Sequence, residues 1–104
     1  MTEVLIIGAG LTGLFASILA ADRGASVTLV AQGRGGLVLS HGCIDIWGRS
    51  APSRALGRLR KSHPYHLANV KSLHAALEIM LELTREAEYP LSGSLRRNLQ
   101  LPTA

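Results

Sequence analysis

Apolar residues are most regularly patterned in the opening part of the chain. Continuous apolar runs at residues 4–7 and 27–30 predict two strands, each buried on both faces as in a parallel sheet. Between them, after a glycine-rich stretch at 8–13, the residues that predict a helix lying on a sheet are Leu14, Phe15, Ala16, Ile18, Leu19 and Ala20. Gly24 stands where a glycine in the left-handed region commonly ends a helix. The pattern therefore predicts a strand, a turn, a helix and a second strand, in that order.

The rest of the chain has a weaker pattern with one clear element. Residues 32–36 are rich in glycine and are predicted to form a loop. Residues 69–87 have the clearest amphipathic pattern, with one face formed by Val70, Leu73, Leu77, Met80 or Leu81, and Thr84. Pro90 and Gly93 follow this stretch and end it. We therefore predict a long amphipathic helix over 69–87, followed by chain without a strong period.

The glycines of the predicted turn have the spacing of a nucleotide-binding loop. Gly8 permits the tight turn out of the strand, Gly10 lets a phosphate approach the backbone, and Gly13 lets the helix pack closely on the strand. The amide groups that open the helix, around Leu11 and Thr12, have no intrahelical partners and favour an anion. The alternative is an ordinary β-turn-α unit without a ligand. Because the glycines lie between a predicted strand and a predicted helix, we favour binding of a dinucleotide pyrophosphate.

One part of the dinucleotide fingerprint is absent at the end of the second strand. A carboxylate there usually accepts hydrogen bonds from the adenosine ribose, but Ala31 and Gln32 occupy the position. Losing a hydrogen bond to a charged group costs about 1.5–3 kcal/mol, of which Gln32 can recover a part. Neither position carries an arginine that would favour a 2′-phosphate, although Arg34 is close. We predict an intact pyrophosphate site and a weakened ribose site, lined by Ala31 and Gln32.

These features define an α/β fold class. A strand–helix–strand unit with this turn is Rossmann-like, and two parallel strands are fewer than a stable buried sheet needs. We therefore expect an incomplete doubly wound parallel sheet followed by helices. With 104 residues, the chain is predicted to form a single, incomplete dinucleotide-binding domain over 1–104.

Composition places the chain among globular proteins. Hydrophobic residues make up 47% of the sequence and charged residues 17%, which excludes a disordered chain. Cys43 is the single cysteine, so no intrachain disulfide forms and a reducing compartment is favoured. Glu3 stands where a signal peptide has basic residues, and glycines interrupt the first apolar run before it could span a bilayer. We expect a cytoplasmic chain with no transmembrane segment of its own.

Positive charge is concentrated in residues 49–61. This segment has no acidic residue and contains Arg49, Arg54, Arg58, Arg60 and Lys61. Such a segment can meet nucleic acid, an anionic membrane or a phosphorylated substrate. A solvated helix face is the simpler interpretation and the one we favour. Aromatic residues are too few and scattered to stack on bases, so we expect no nucleic-acid partner.

No residue qualifies as a catalytic group or a metal ligand. His41 and Cys43 are two residues apart, and His63 and His66 are three apart, but no paired cysteines accompany them. Residues two apart on an extended segment point the same way, which only permits a contact between Cys43 and His41. We predict neither a metal site nor a catalytic residue.

A family resemblance extends these inferences along the chain. The opening turn resembles that of flavoprotein oxidoreductases that bind FAD through a Rossmann segment. The sequence from Leu39 to Ile46, Leu-Ser-His-Gly-Cys-Ile-Asp-Ile, is similar to the segment after the second strand in the subunit designated B of anaerobic glycerol-3-phosphate dehydrogenase. His63-Pro64-Tyr65 and residues 93–104 also resemble that family. The resemblance implies a flavin, FAD or FMN, with Ser40 and Gly42 lining its site together with Gly8, Gly10 and Gly13.

The same resemblance implies an activity and partners. It implies electron transfer from oxidation of sn-glycerol 3-phosphate, a catalytic flavoprotein subunit, and an iron–sulfur subunit that docks the complex at the inner face of the cell membrane. Family members are several times longer, so we expect an N-terminal fragment of a larger subunit, inactive alone, arising by gene truncation or incomplete sequence. Two alternatives stay open: a small module that binds NAD or an adenine nucleotide, and an interaction remnant that binds no cofactor.

Overall fold

A computed structural model describes residues 1–47 and 51–99 of the chain. Two compact units make it up, one comprising residues 1–44 (the first unit) and the other 45–104 (the second unit). The first unit contains β1 (Glu3–Ile7), α1 (Leu11–Asp22), β2 (Ser26–Val30) and a 3₁₀ helix (Gly35–Leu39); the second contains α2 (Pro52–Leu56), a 3₁₀ helix (Pro64–His66) and α3 (Val70–Glu86). The prediction of one domain over 1–104 stays a prediction.

The first unit is a βαβ unit with a parallel two-stranded sheet. Glu3 of β1 pairs with Ser26 of β2, and the register continues to the pair Ile7 and Val30. α1 connects the two strands and packs against both. The predicted α/β class and Rossmann-like unit are therefore confirmed. The loop predicted over 32–36 is wrong at its end, because the 3₁₀ helix begins at Gly35.

Within the first unit α1 covers one face of the sheet, and the prediction of strands buried on both faces is wrong. Val4, Ile6, Val27 and Leu29 are half-buried, whereas Leu5 is 64% exposed, Ile7 83% and Val30 53%. Side chains alternate between the two faces of a strand, and α1 covers one face. The opposite face, formed by Leu5, Ile7, Thr28 and Val30, is called the open sheet face below.

The predicted apolar face of α1 is also only partly correct. Phe15, Leu19 and Ala20 are half-buried as expected. Leu14 and Ile18, expected against the sheet, are exposed, and so is Ala16. For Leu14 and Ile18 the reason is that α1 approaches β1 through the small residue Gly13, where a side chain would come within 3.5 Å of Ile6 Cγ2.

Gly24 ends α1 in the predicted way. Its φ of 83° is in the left-handed region. The Gly24 amide donates to the carbonyl of Ala21 at 2.9 Å, and the Ala25 amide donates to the carbonyl of Ala20 at 3.0 Å. These two bonds form a Schellman motif, which satisfies carbonyls at the helix end and turns the chain into β2.

The second unit contains the longest helix and the buried core. α3 lies within one residue of the predicted limits at each end, and the Asn69 side chain caps it by accepting a hydrogen bond from the Ser72 amide at 2.8 Å. Leu56 and Leu95 are buried. The Ser53 amide donates to the Leu95 carbonyl at 2.9 Å, which ties α2 to the segment after α3.

Among the described residues, no helix combines the length and the apolar content needed to cross a membrane. Arg49, one of the cations of residues 49–61, and residues 100–104, part of the stretch that resembles the dehydrogenase subunit, lie outside the part of the chain described.

α3 ends in a Schellman motif that lacks a glycine. Glu88 occupies the left-handed position with a φ of 57°. Its amide donates to the carbonyl of Arg85 at 3.1 Å, and the Tyr89 amide donates to the carbonyl of Thr84 at 2.9 Å. For a residue with a Cβ this conformation costs about 1–2 kcal/mol, whereas for glycine it does not.

We expect Glu88→Gly to raise the free energy of unfolding of the second unit by about 1 kcal/mol, because glycine removes this strain. Glu86→Gly is the matched control. It places glycine inside the last turn of α3, where it should lower the free energy of unfolding by about 1 kcal/mol. Urea unfolding followed by helical circular dichroism measures both. Equal loss of stability in the two variants would contradict the assigned cap.

Candidate functional site

The glycine-rich turn between β1 and α1 begins at Gly8, which has a left-handed backbone conformation and a hydrogen bond to β2. Gly8 has a φ of 106°, which a residue with a side chain rarely adopts. Its amide donates to the carbonyl of Val30 at 2.8 Å, so the turn continues the pairing of β1 with β2. The predicted role of Gly8 as the tight turn out of the strand agrees with this geometry.

Gly13 lies where α1 passes over the end of β1. A methyl group at this position would overlap the carbonyl oxygen of Gly8 and lie 3.1 Å from its carbonyl carbon. Because the overlap is with backbone, no side-chain rotation relieves it. The close helix–strand contact predicted for Gly13 is therefore present, and it requires a glycine.

Gly10 opens the helix and leaves amide groups available to a ligand. It is the N-cap residue, with φ −76° and ψ 177°, and no side chain caps the helix. The first intrahelical bond runs from the Leu14 amide to the Gly10 carbonyl at 3.0 Å. The amides of Leu11, Thr12 and Gly13 therefore precede the hydrogen-bonded part of the helix and add to its positive end.

The space in front of Gly10 is open. A methyl group built on Gly10 would meet no atom within 4 Å, and both Leu11 and Thr12 are exposed. An anion can therefore approach the backbone amides directly, as the pyrophosphate of a dinucleotide does at such a helix N-terminus. The residues present fit the phosphate part of a flavin dinucleotide.

Gly35 also belongs to the site, although its sequence position did not reveal it. Its φ is 64°, and a methyl group on it would lie 2.9 Å from the Cα and 3.0 Å from the nitrogen of Gly10. The 3₁₀ helix after β2 thus packs directly on the turn. The one signal in the sequence is the glycine pair Gly35-Gly36, which is predicted above only as part of a loop.

Ala31 and Gln32 follow the last residue of β2 and are both exposed. Since the carboxyl ends of parallel strands meet at one edge of a sheet, they lie at the same edge as Gly8. Asp22 ends α1 at the opposite end of the unit. The expected placement of Ala31 and Gln32 is therefore present; their contact with a ribose stays a prediction.

Ser40 and Gly42 form a local turn of their own. The Gly42 amide donates to Ser40 Oγ at 3.1 Å, and Gly42 has a φ of 77°. Within the described residues, no hydrogen bond connects either of them to the glycine-rich turn. Their role in lining a flavin site stays a prediction.

His41, His63, His66 and Cys43 make backbone contacts. His41 Nδ1 accepts a hydrogen bond from the Cys43 amide at 3.2 Å, so this ring nitrogen faces the backbone. His63 Nδ1 accepts from the Tyr65 amide at 3.3 Å, and His66 Nε2 donates to the Leu59 carbonyl at 2.9 Å. Across residues 1–47 and 51–99, no three metal-ligating side chains come together.

Comparison with protein families identifies the class to which this site belongs. The family model described as FAD binding domain matches residues 3–89, which include both strands, the glycine-rich turn and α3. The chain belongs to the FAD-binding-domain family. The predicted flavin cofactor is thereby confirmed, and the family's description names FAD.

Individual relatives are more specific, because they are named as the subunit designated B of anaerobic glycerol-3-phosphate dehydrogenase. The chain is 32% identical over 84 residues to the Halobacterium salinarum protein, whose name carries the qualifier probable, with 73% of this chain and 20% of that protein aligned. It is 30% identical over 106 residues to the Pectobacterium carotovorum protein, covering 92% and 25%. The Vibrio cholerae protein is 31% identical over 99 residues, covering 86% and 23%. The resemblance to this dehydrogenase subunit is therefore confirmed.

The chain spans a quarter or less of the length of these curated relatives. No solved structure matches it.

We expect Gly13→Ala to lower the free energy of unfolding of the first unit by about 1–3 kcal/mol, because the methyl group meets the Gly8 carbonyl. Gly10→Ser is the matched control. Its side chain enters open space and serine is a favourable N-cap, so stability should be kept or slightly raised. Urea unfolding of the two variants measures the difference. Unchanged stability of Gly13→Ala would mean that the close contact is not required.

We expect Gly35→Ala to lower the free energy of unfolding of the first unit by about 1–2 kcal/mol. A residue in the left-handed region gains a Cβ, and this Cβ also comes too close to the backbone of Gly10. Gly36→Ala is the control, since a methyl group there would meet no atom within 4 Å. The measurement is the urea midpoint together with proteolysis of the segment after β2. If Gly36→Ala were the more damaging change, the assigned packing of the 3₁₀ helix would be wrong.

Proposed function

We propose that the chain is the flavin-binding part of an oxidoreductase subunit that resembles the subunit designated B of anaerobic glycerol-3-phosphate dehydrogenase. The main support is the N-terminus of α1, where three amides precede the hydrogen-bonded part of the helix and the space at Gly10 is open. This geometry supports a pyrophosphate site, and the FAD-binding family match supports a flavin as its ligand. The relatives' names support the glycerol-3-phosphate class of oxidoreductase.

The flavin and the residues of the chain have different roles in this proposal. A flavin held by these residues would supply the redox chemistry, the uptake of the electrons released when sn-glycerol 3-phosphate is oxidised to dihydroxyacetone phosphate. The chain's own residues bind: the amides of Leu11, Thr12 and Gly13 hold phosphate oxygens, and Gly10 leaves the space that the phosphates fill. No catalytic residue is assigned, and the isolated chain is expected to be inactive.

The adenosine end of the site is weaker than the phosphate end. Ala31 and Gln32 occupy the ribose position, so the amide of the Gln32 side chain replaces the usual carboxylate. FMN has no adenosine and loses nothing by this replacement, whereas FAD loses a charge-assisted hydrogen bond. The family match favours FAD as the bound form.

Partners are part of the proposal. The open sheet face, with Leu5, Ile7 and Val30 exposed, is a surface that further elements of a larger subunit would cover. The relatives are named as one subunit of a dehydrogenase, which supports the presence of partner subunits. The resemblance implies that these are a catalytic flavoprotein subunit and an iron–sulfur subunit. Those partners would hold the protein at the cytoplasmic face of the membrane.

Two other functions remain as alternatives with distinct signatures. A small module for NAD or an adenine nucleotide would use the same pyrophosphate site without redox chemistry, although the absent carboxylate weakens it. An interaction remnant would keep its partner contacts and bind no nucleotide. Titration with several nucleotides separates the three.

We expect the chain to bind FAD, which is seen as flavin absorption of the protein and as quenching of flavin fluorescence during titration. In Gly10→Val the affinity for FAD should fall about tenfold, because the branched side chain fills the space for the phosphates. Ala21→Val is the matched control, placing the same side chain at an exposed position near the other end of α1. Circular dichroism verifies that both variants stay folded.

Three outcomes would count against the flavin proposal. FAD binding that Gly10→Val leaves unchanged would place the ligand elsewhere, and tight NAD binding without flavin binding would favour the small module. A folded chain that binds neither would favour the interaction remnant. Parallel titration with FMN tests the ribose argument separately.

A further inference from the structure

Residues 46–77 contain no acidic residue. Six of the eleven lysines and arginines and three of the four histidines of the sequence lie in this stretch, whereas all seven acidic residues lie outside it. Its centre, residues 57–67, is called the basic turn here. Local charge of one sign over this length gives a surface that attracts anions.

The basic turn is held in shape by its own hydrogen bonds. The His63 amide donates to the carbonyl of Arg60 at 2.8 Å, and His66 Nε2 donates to the carbonyl of Leu59 at 2.9 Å. The side chains of Arg58, Arg60 and Lys61 are not used in this framework, and all three residues are exposed. In the described ranges, none of the three has a carboxylate partner.

Large apolar side chains accompany these cations. Leu67, which ends the basic turn, is 91% exposed, and Trp47 is 55% exposed. The Trp47 ring lies 5.8 Å from the ring of His63, which places the indole beside the basic turn. A solvated cationic surface explains the lysine and arginines but gives no reason for an exposed leucine and tryptophan beside them.

We propose that the basic turn, with Leu67 and Trp47, is a contact surface for a bilayer containing anionic phospholipids. Lysine and arginine side chains are attracted to anionic headgroups, leucine enters the acyl boundary, and tryptophan is favoured at the interface. The phosphates of a nucleic acid would also pair with these cations. Its bases stack on aromatic rings, however, and an aliphatic side chain such as Leu67 offers no stacking surface. The bilayer therefore accounts for both halves of the surface.

This surface is independent of the flavin site. It uses no residue of the glycine-rich turn, and it gives the chain a membrane contact of its own in addition to any docking through partner subunits. Failure of flavin binding would leave it untouched, and failure of vesicle binding would leave the flavin proposal untouched.

The single tryptophan of the sequence makes the test direct. The full chain is mixed with vesicles of phosphatidylcholine, alone or with phosphatidylglycerol. Trp47 emission should shift to the blue and the chain should sediment only with the anionic vesicles. Added salt should weaken the binding, because headgroup attraction is screened.

Variants separate the two halves of the surface. Replacing Arg58, Arg60 and Lys61 together by glutamine should weaken partitioning about a hundredfold, at roughly fivefold per cation. The control replaces Arg23, Arg34 and Arg85 by glutamine, which gives the same net charge and should retain most of the binding. Leu67→Ser should weaken binding about tenfold with the salt dependence unchanged, because it removes an inserted apolar group.

Several results would overturn the proposal. These are no binding to anionic vesicles, equal binding to the neutral vesicles, or equal losses in the two triple variants. So would binding without a tryptophan shift, because the indole would then stay in water. Tighter, salt-sensitive binding to single-stranded RNA than to anionic vesicles would assign the surface to nucleic acid instead.

Discussion

The contact between Gly13 and the carbonyl of Gly8 is the constraint on which the site depends. It sets how closely α1 can pass the end of β1, and a methyl group would be enough to separate them. Since the Gly8 amide is bonded to Val30, the same point also aligns the end of β2 with the turn. The placement of the free amides, of the open space at Gly10 and of Ala31 depends on this close approach, because all are attached to backbone that it fixes.

Local patterns in the sequence were sufficient for the parts of the fold that local interactions decide. The two apolar runs became β1 and β2, Gly24 became the cap of α1, and the amphipathic stretch became α3 capped by Asn69. The exposure of Leu5 and Ile7 was not predictable in this way, because an apolar run is the same whether one or two layers cover it. How much of a strand is covered depends on the number of elements packed on it.

In the site, too, the residues close together in sequence were predictable and the distant one was not. Spacing alone assigned roles to Gly8, Gly10 and Gly13, since each role is set within a single turn. Gly35 belongs to the same site but lies far along the chain, and only the folded packing on Gly10 reveals why it is glycine. Glu88 is the reverse case, since it takes a left-handed position where sequence preference favours glycine, so its conformation is imposed by the end of α3.

A two-stranded parallel sheet has a free edge on each strand, and the two edges of this one are not equivalent. Amide and carbonyl groups along a free edge can pair with a further strand. A strand added beside β2 would widen the sheet away from the glycine-rich turn. A strand added beside β1 would make β1 the point at which the strand order of the sheet reverses. Such switch points in open α/β sheets form the crevices that hold ligands. The outer edge of β1 therefore decides whether the open space at Gly10 becomes an enclosed pocket.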